Sequence, residues 1–428
     1  MKWRMRYLTM FVSALLLVTL SFVLWTSNQK KILRIGVYAG SSWDVPNSRE
    51  NRVLDNIIHQ FEKSHPNVKV VYESGIPKKD YDNWLAEKIL KGEQPDIFMV
   101  PENDFSMLAA SGAFKSLDSL LSKEEVEAYY PVAYQAGQYQ GHSYALPIES
   151  NPIMMCVNKD LLEKEGISIP DSNWTLEDLY AICQKVTKDT DGDGLIDQYG
   201  ITDYTWKQAL VAYNGHLRNQ NGVNIDSVEM HQALSFISKL DSLNQRYKVT
   251  SNDFDEGKVA FYPMSLAQYR TYKPYPYHVA KYSRFSWTCI PMPAAKAGIP
   301  ATQVKTSLFA MSSKTKQDKL AWEFMKLLCQ NHKNQQELFA KSQGTSVLTS
   351  VVKSSQTKKI LQADDFGLDS LTSQRLDHMM KHSVLDISRD LDYHSLERLD
   401  YLLENALKNN EIDSILPSIQ REMEETGK

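Results

Sequence analysis

Apolar and polar positions alternate between two periods along the first hundred residues. Ile32-Leu33-Arg34-Ile35-Gly36-Val37-Tyr38 is short, apolar and rich in β-branched side chains, which predicts a strand. Over residues 52–63, Val53, Leu54, Ile57, Ile58 and Phe61 recur at helical spacing, and His65-Pro66-Asn67 ends the run. A strand at 68–72, a helix at 81–91 and a strand at 97–100 follow. This β-α-β-α-β alternation predicts an α/β domain with a largely parallel sheet and helices on both faces. Residues 137–147 read as a hairpin and 153–157 as a separate strand. Trp174-Thr175 opens a helix, with Thr175 as N-cap and Asp178 three residues on. Helices are expected at about 205–245, a strand at 259–262, and an irregular connection through Pro274, Pro276, Pro291, Pro293 and Pro300. A strand at 306–311, an amphipathic helix at 317–330 and a mostly helical stretch from about 350 complete the pattern.

A chain of 428 residues has room for two or three structural domains. With 42% hydrophobic and 23% charged residues the bulk is globular rather than disordered. A formal net charge of -4 leaves no excess of positive charge for phosphates, so nucleic acid is not an expected partner. The four cysteines, Cys156, Cys183, Cys289 and Cys329, form no CxxC pair and no zinc spacing. Cys183 and Cys329 sit in apolar helical contexts, and buried free thiols are the expectation there.

Lys2, Arg4 and Arg6 precede an uncharged apolar run over residues 8–25, Leu8 to Trp25. The run is long for the core of a signal peptide and lacks an A-x-A-like cleavage boundary. It lies at the short end of what spans a bilayer. The basic flank keeps the N-terminus cytoplasmic and places the rest outside. Residues 1–29 are therefore expected to be an uncleaved signal anchor, with a cleaved signal peptide as the other reading. No cysteine precedes Cys156, which excludes a lipidated one.

Five segments in order resemble the family-1 extracellular solute-binding proteins, the maltose-binding-like receptors of carbohydrate ABC importers. They are Phe61-Glu62-Lys63-Ser64-His65-Pro66-Asn67-Val68-Lys69-Val70, then Lys91-Gly92-Glu93-Gln94-Pro95-Asp96-Ile97-Phe98-Met99-Val100. Gly141-His142-Ser143-Tyr144-Ala145-Leu146-Pro147 follows, with Asn158-Lys159-Asp160-Leu161-Leu162 behind it. Glu256-Gly257-Lys258-Val259-Ala260-Phe261 and Ala321-Trp322-Glu323-Phe324 complete the set. The resemblance spans roughly residues 32–350. It implies a two-lobed α/β fold of the periplasmic-binding-protein-like class II, with the ligand in the cleft between lobes. On that pattern lobe 1 takes residues 30–146 with about 290–345 returning to it. Lobe 2 takes 147–289, joined by about 346–428. The implied partners are a saccharide and ABC permease subunits in the membrane, served by a monomer.

A neutral sugar needs aromatic faces for its C–H surfaces and fixed polar groups for its hydroxyls. Such groups are expected in loops at strand ends. Trp43 and Asp44 follow the first strand, and Asp104 follows the third, where it could equally cap a helix. Glu149 and Asn151 lie where the resemblance puts the lobe crossing. Trp206 and Trp287 are candidate stacking residues, with core packing as the alternative. Tyr262 and Met264 end the strand after Gly257. Asp189-Thr190-Asp191-Gly192-Asp193-Gly194-Leu195-Ile196-Asp197 has carboxylates at positions one, three, five and nine of an EF-hand-type loop. Gly194 stands at position six and the Leu195 carbonyl at seven, which suits Ca²⁺ in a structural role. Gly200 replaces the usual Glu at position twelve, and a plain Gly-rich surface turn is the other reading. GxSxG, HExxH and a Gly-rich phosphate loop are missing from the sequence. Glu102 and Glu149 are only formally a glycosidase pair. Binding without catalysis is therefore expected, for import or, as the alternative, in a sugar-sensing ectodomain that partners a membrane kinase.

Overall fold

A computed structural model describes residues 30–43, 45, 50–101, 103–245, 247–272, 285–364, 370–409 and 411–426. The apolar segment 8–25, Asp44 and Glu102 lie outside the described residues. Among the described residues no helix is long and apolar enough to cross a membrane.

Strand β1 (Lys31–Gly36) pairs in parallel with β2 (Val68–Tyr72) and with β3 (Ile97–Met99). Helices α1 (Glu50–Ser64) and α2 (Lys78–Leu90) connect them. The periodic residues of α1 behave as their spacing requires: Val53, Ile57, Ile58 and Phe61 are buried, and the Phe61 ring meets Phe324 edge-on at 5.2 Å. Phe324 belongs to α8 (Asp318–Cys329), which buries Ala321, Phe324, Met325 and Leu328 on the same side. These side chains and the sheet form the first hydrophobic cluster, that of lobe 1. Each fully buried Phe or Leu there contributes about 1.5–3 kcal/mol.

Beyond β3 the sheet changes character. Strand β12 (Thr302–Met311) runs antiparallel to β3, and β6 (Ala145–Asn158) antiparallel to β12. A short hairpin, β4 (Gln138–Tyr139) and β5 (His142–Ser143), leads into β6. The expected largely parallel sheet is thus mixed, with parallel pairing in the β1–β3 group, between β7 (Tyr199–Ile201) and β10 (Val259–Ser265), and between β12 and β14 (Ser383–Leu385). The irregular connection expected through the prolines contains a strand, β11 (Trp287–Ile290).

Strand β6 joins the lobes. Its first half pairs with β12, ending at Val304 opposite Pro152. Its second half starts at Ile153 opposite Ser265 of β10 and carries β11 on its other edge. Pro152 has no N–H for a ladder, so it is tolerated at the point where one partner gives way to the next. Pro147 sits opposite Leu308, where the pairing slips by a bulge between Ser307 and Leu308. Lobe 2 packs the far half of β6, β7 and β10 against α4 (Leu176–Val186), α5 (Trp206–Ala212), α6 (Val228–Asp241), α9 (Tyr393–Asn409) and α10 (Ile412–Thr426). A hairpin, β8 (Arg218–Asn219) and β9 (Gly222–Val223), follows α5. A third cluster holds Met154, Cys156, Cys289, Val304 and the buried residues of the helices over 332–381. Strands β13 (Thr345–Ser346) and β14 (Ser383–Leu385) tie that region to β6 and β12.

Candidate functional site

The carboxyl ends of β1 and β3 face the crossing strands, which is where open α/β sheets receive ligands. After β1 the chain turns at Gly40, whose φ of 96° is left-handed. Trp43 follows, half-buried, with its backbone N–H donating to the Ser41 hydroxyl at 3.1 Å. The Trp43 indole nitrogen is buried and has no acceptor in hydrogen-bond geometry, though its N–H favours the charged form of Glu149. After β3 come Asn103 and Asp104. Asn103 Oδ1 is buried without a partner. Asp104 stands at the N-cap of α3 (Phe105–Ala110) but its side chain makes no capping bond. Its carboxyl is held above the ordinary range by burial, and then by the Asp392 charge.

Beside this rim, a shallow open pocket is lined by Phe105, Lys305, Thr306, Asp386, Ser388 and Arg389 among others. Arg389 reaches from the segment after β14 toward lobe 1: Nη2 donates to the Ala136 carbonyl at 3.2 Å, and the guanidinium lies 5.6 Å from the Phe105 ring centre. Burial lowers the Arg389 pKa and raises that of Asp390 beside it. Sequence reasoning did not single out Lys305 or Arg389, which line this pocket. Arg389 sits at the end of a one-turn helix (Ile387–Asp390) in a stretch read only as helical.

The remaining expected site residues are more deeply packed. Glu149 is buried, and its Oε1 accepts from the Gly344 N–H at 2.7 Å and from the Ser342 hydroxyl. Burial pushes its pKa up to about 7 against the lowering effect of those bonds and of the Arg270 charge. It fastens the 342–346 loop to the crossing strand and, beside Trp43, lines a pocket with Tyr38, Gly40 and Ser42. Asn151 Oδ1 accepts from the Ala267 N–H at 2.9 Å, at the start of α7 (Leu266–Tyr272), so it orients the exit of β10. Trp206 is 3% exposed in the lobe 2 core, and its Nε1 donates to Asp400 at 2.8 Å. Trp287 packs against Tyr269 and Phe254, and Met264 is buried in the same cluster. Tyr262 turns toward Phe254, with ring centres 5.3 Å apart. Trp206, Trp287 and Met264 are core residues, and Tyr262 is half-buried. Of the residues expected at the ligand, the structure brings Trp43 and Asp104 to the lobe 1 rim.

The acidic loop joins α4 to β7 and is largely exposed. Asp189, Asp191 and Asp193 each offer an oxygen within 4.8 Å of the others. Gly192 and Gly194 take left-handed φ values of 83° and 91°, which the tight turn needs. Asp189 accepts from the N–H groups of Gly192 and Gly194, both at 2.7 Å, and these backbone bonds hold its pKa down. Asp197 is turned to Thr190, accepting from its N–H at 2.9 Å and its hydroxyl at 2.7 Å. The side chain of Leu195 points outward, 67% exposed.

The sequence pattern described as bacterial extracellular solute-binding protein matches residues 56–364. A maltotriose-binding protein of Pyrococcus abyssi is 25% identical over 138 residues, covering 32% of this chain and 30% of that protein. The match thus spans less than a third of that relative's length. Among solved structures, the sugar-binding protein MalE of Xanthomonas citri superposes with a TM-score of 0.74 at 15% identity, covering 92% of this chain and 97% of the other. The cyclic alpha-maltosyl-1,6-maltose binding protein of Arthrobacter globiformis gives 0.70 at 16% identity, covering 91% and 97%. The fold is therefore that of two-lobed solute receptors from end to end of the described chain, and the protein belongs to the bacterial extracellular solute-binding protein family.

Proposed function

We propose that the cleft binds an oligosaccharide non-covalently and that the protein delivers it, chemically unchanged, to an ABC import permease. The observation that carries this reading is the lobe 1 rim. There the half-buried Trp43 ring, the unpartnered Asn103 Oδ1 and the uncapped Asp104 carboxyl lie at adjacent strand ends. A buried carbonyl oxygen with no donor costs about 1–3 kcal/mol, which a sugar hydroxyl would recover. An indole face suits sugar C–H groups. The names of relatives, maltotriose-binding and cyclic maltosyl-maltose binding, point to glucose-built oligosaccharides. We assign residues 8–25 the role of a membrane tether, and expect a monomer. For Ca²⁺, Asp189, Asp191, Asp193 and the Leu195 carbonyl would be ligands, whereas Asp197 is committed to Thr190.

Calorimetry with maltotriose and maltotetraose tests the reading, with chromatography of the recovered sugar. Trp43→Ala and Asn103→Ala should each weaken binding about three- to tenfold with little change in the sugar-free Tm. Unchanged affinity in both variants would displace the site; no affinity for any saccharide would end the carbohydrate reading.

A further inference from the structure

Two of the four cysteines stand opposite each other. Cys156 of β6 and Cys289 of β11 are direct antiparallel partners, and their Sγ atoms are 3.6 Å apart. The Cys289 N–H donates to the Ser370 carbonyl at 2.9 Å, away from β6. The two cysteines are therefore a non-hydrogen-bonded cross-strand pair, the class in which Cα atoms approach to about 4.5 Å. That separation falls inside the range of about 4.4–6.8 Å that a disulfide accepts. Both residues are fully buried in the third cluster with Met154, Tyr269 and Trp287. Cys183 and Cys329 lie apart in the lobe 2 and lobe 1 clusters, so they cannot pair with each other.

We propose that Cys156 and Cys289 form a disulfide in the exported protein, and that Cys183 and Cys329 remain thiols. The family works outside the cytoplasm, where disulfides persist. Burial of the pair means that the bond must form during folding. The oxidant is a disulfide, either glutathione disulfide or that of a thiol oxidase. One cysteine thiolate attacks a sulfur of the oxidant and releases its first thiol. The second thiolate then attacks the mixed disulfide, closing the Sγ–Sγ bond and releasing the second thiol. The two cysteine protons end on the two released thiols, and the two electrons lost by the cysteine sulfurs reduce the oxidant. The bond would close a loop between residues 133 positions apart and fasten β11 to the lobe 2 half of the crossing strand.

The full chain recovered from outside the cytoplasm is denatured and treated with a maleimide, with and without prior reduction, then digested. Two of the four thiols should react before reduction and four after it, with one linked peptide joining Cys156 to Cys289. Wild type refolded with glutathione disulfide should melt about 5 °C or more above wild type refolded with reduced glutathione, given the length of the closed loop. Cys289→Ala should show no such difference. Should that variant fail to fold, the thiol count on the wild type decides. Four reactive thiols without reduction, or a link through Cys183 or Cys329, overturns the proposal.

Discussion

Glu149 is a buried carboxyl in the middle of the crossing strand. Its folded pKa of about 7 lies above the ordinary 4.5, and burial is the main cause. Between those two values the folded chain binds more protons than the unfolded one, so stability falls as pH rises. The stabilisation is fully present below about pH 4.5 and is lost by about pH 7. Urea melts at pH 5 and pH 7.5 should therefore differ, with this group supplying a difference of order 1–3 kcal/mol. Glu149→Gln keeps an acceptor for the Gly344 N–H and should remove that part of the slope; an identical slope in the variant refutes the assignment. Gly344 is tied to the same contact. A Cβ there would stand 2.5 Å from Glu149 Oε1 and 2.7 Å from Cδ. Gly344→Ala should destabilise by about 1–3 kcal/mol, the range of an overpacked core, as read from the urea midpoint.

The acidic loop between α4 and β7 is held by its own backbone donors, which offset the repulsion among its aspartates. A cation would add to that arrangement. Binding to the folded form alone raises Tm by mass action. We expect Ca²⁺ to raise Tm modestly, because affinity follows ligand charge and count and Gly200 supplies no carboxylate. Asp191→Ala with Asp193→Ala should abolish the response; a Tm indifferent to Ca²⁺ and to chelator in wild type sinks it. The loop was legible because its glycines and aspartates act over a few residues. So were α1, from its apolar stripe, and β1 and β3, from their β-branched runs. The crossing strand was not. Pro147, Pro152 and the polar Glu149-Ser150-Asn151 read locally as a break between a hairpin and a short strand. Continuity comes from β12 and β13, more than a hundred residues away, whose pairing buries those polar groups. The burial of Trp206 and Trp287 was not legible for a related reason: composition cannot say which face of an element meets the core.

Each lobe has its own hydrophobic cluster, the third cluster holds Tyr130 and Ala133 together with Phe254 and Tyr269, and the chain crosses between the lobes in strands β6 and β12 and in the segment after β14. Hinge closure of two such lobes on a ligand would place the flexure at those crossings. A saccharide shifts such an equilibrium only by its differential contacts with the closed form. On the proposed function the lobe 1 rim would supply one set of contacts through Trp43, Asn103 and Asp104, and the pocket beside it others through Lys305 and Arg389. Arg389 bridges two parts of the chain, because its guanidinium lies over Phe105 of lobe 1 while its backbone sits in the segment after β14. We therefore expect the radius of gyration by solution X-ray scattering to fall on saturation with the best-bound saccharide. Moving a population from 1:99 to 99:1 takes about 5.5 kcal/mol of differential affinity, so a weak ligand should shift the scattering only in part. Arg389→Ala removes the bridging side chain and should reduce both the affinity and the fall in radius. If the radius is unchanged by a sugar that raises Tm, the ligand touches one lobe alone, and closure is not how this receptor holds it.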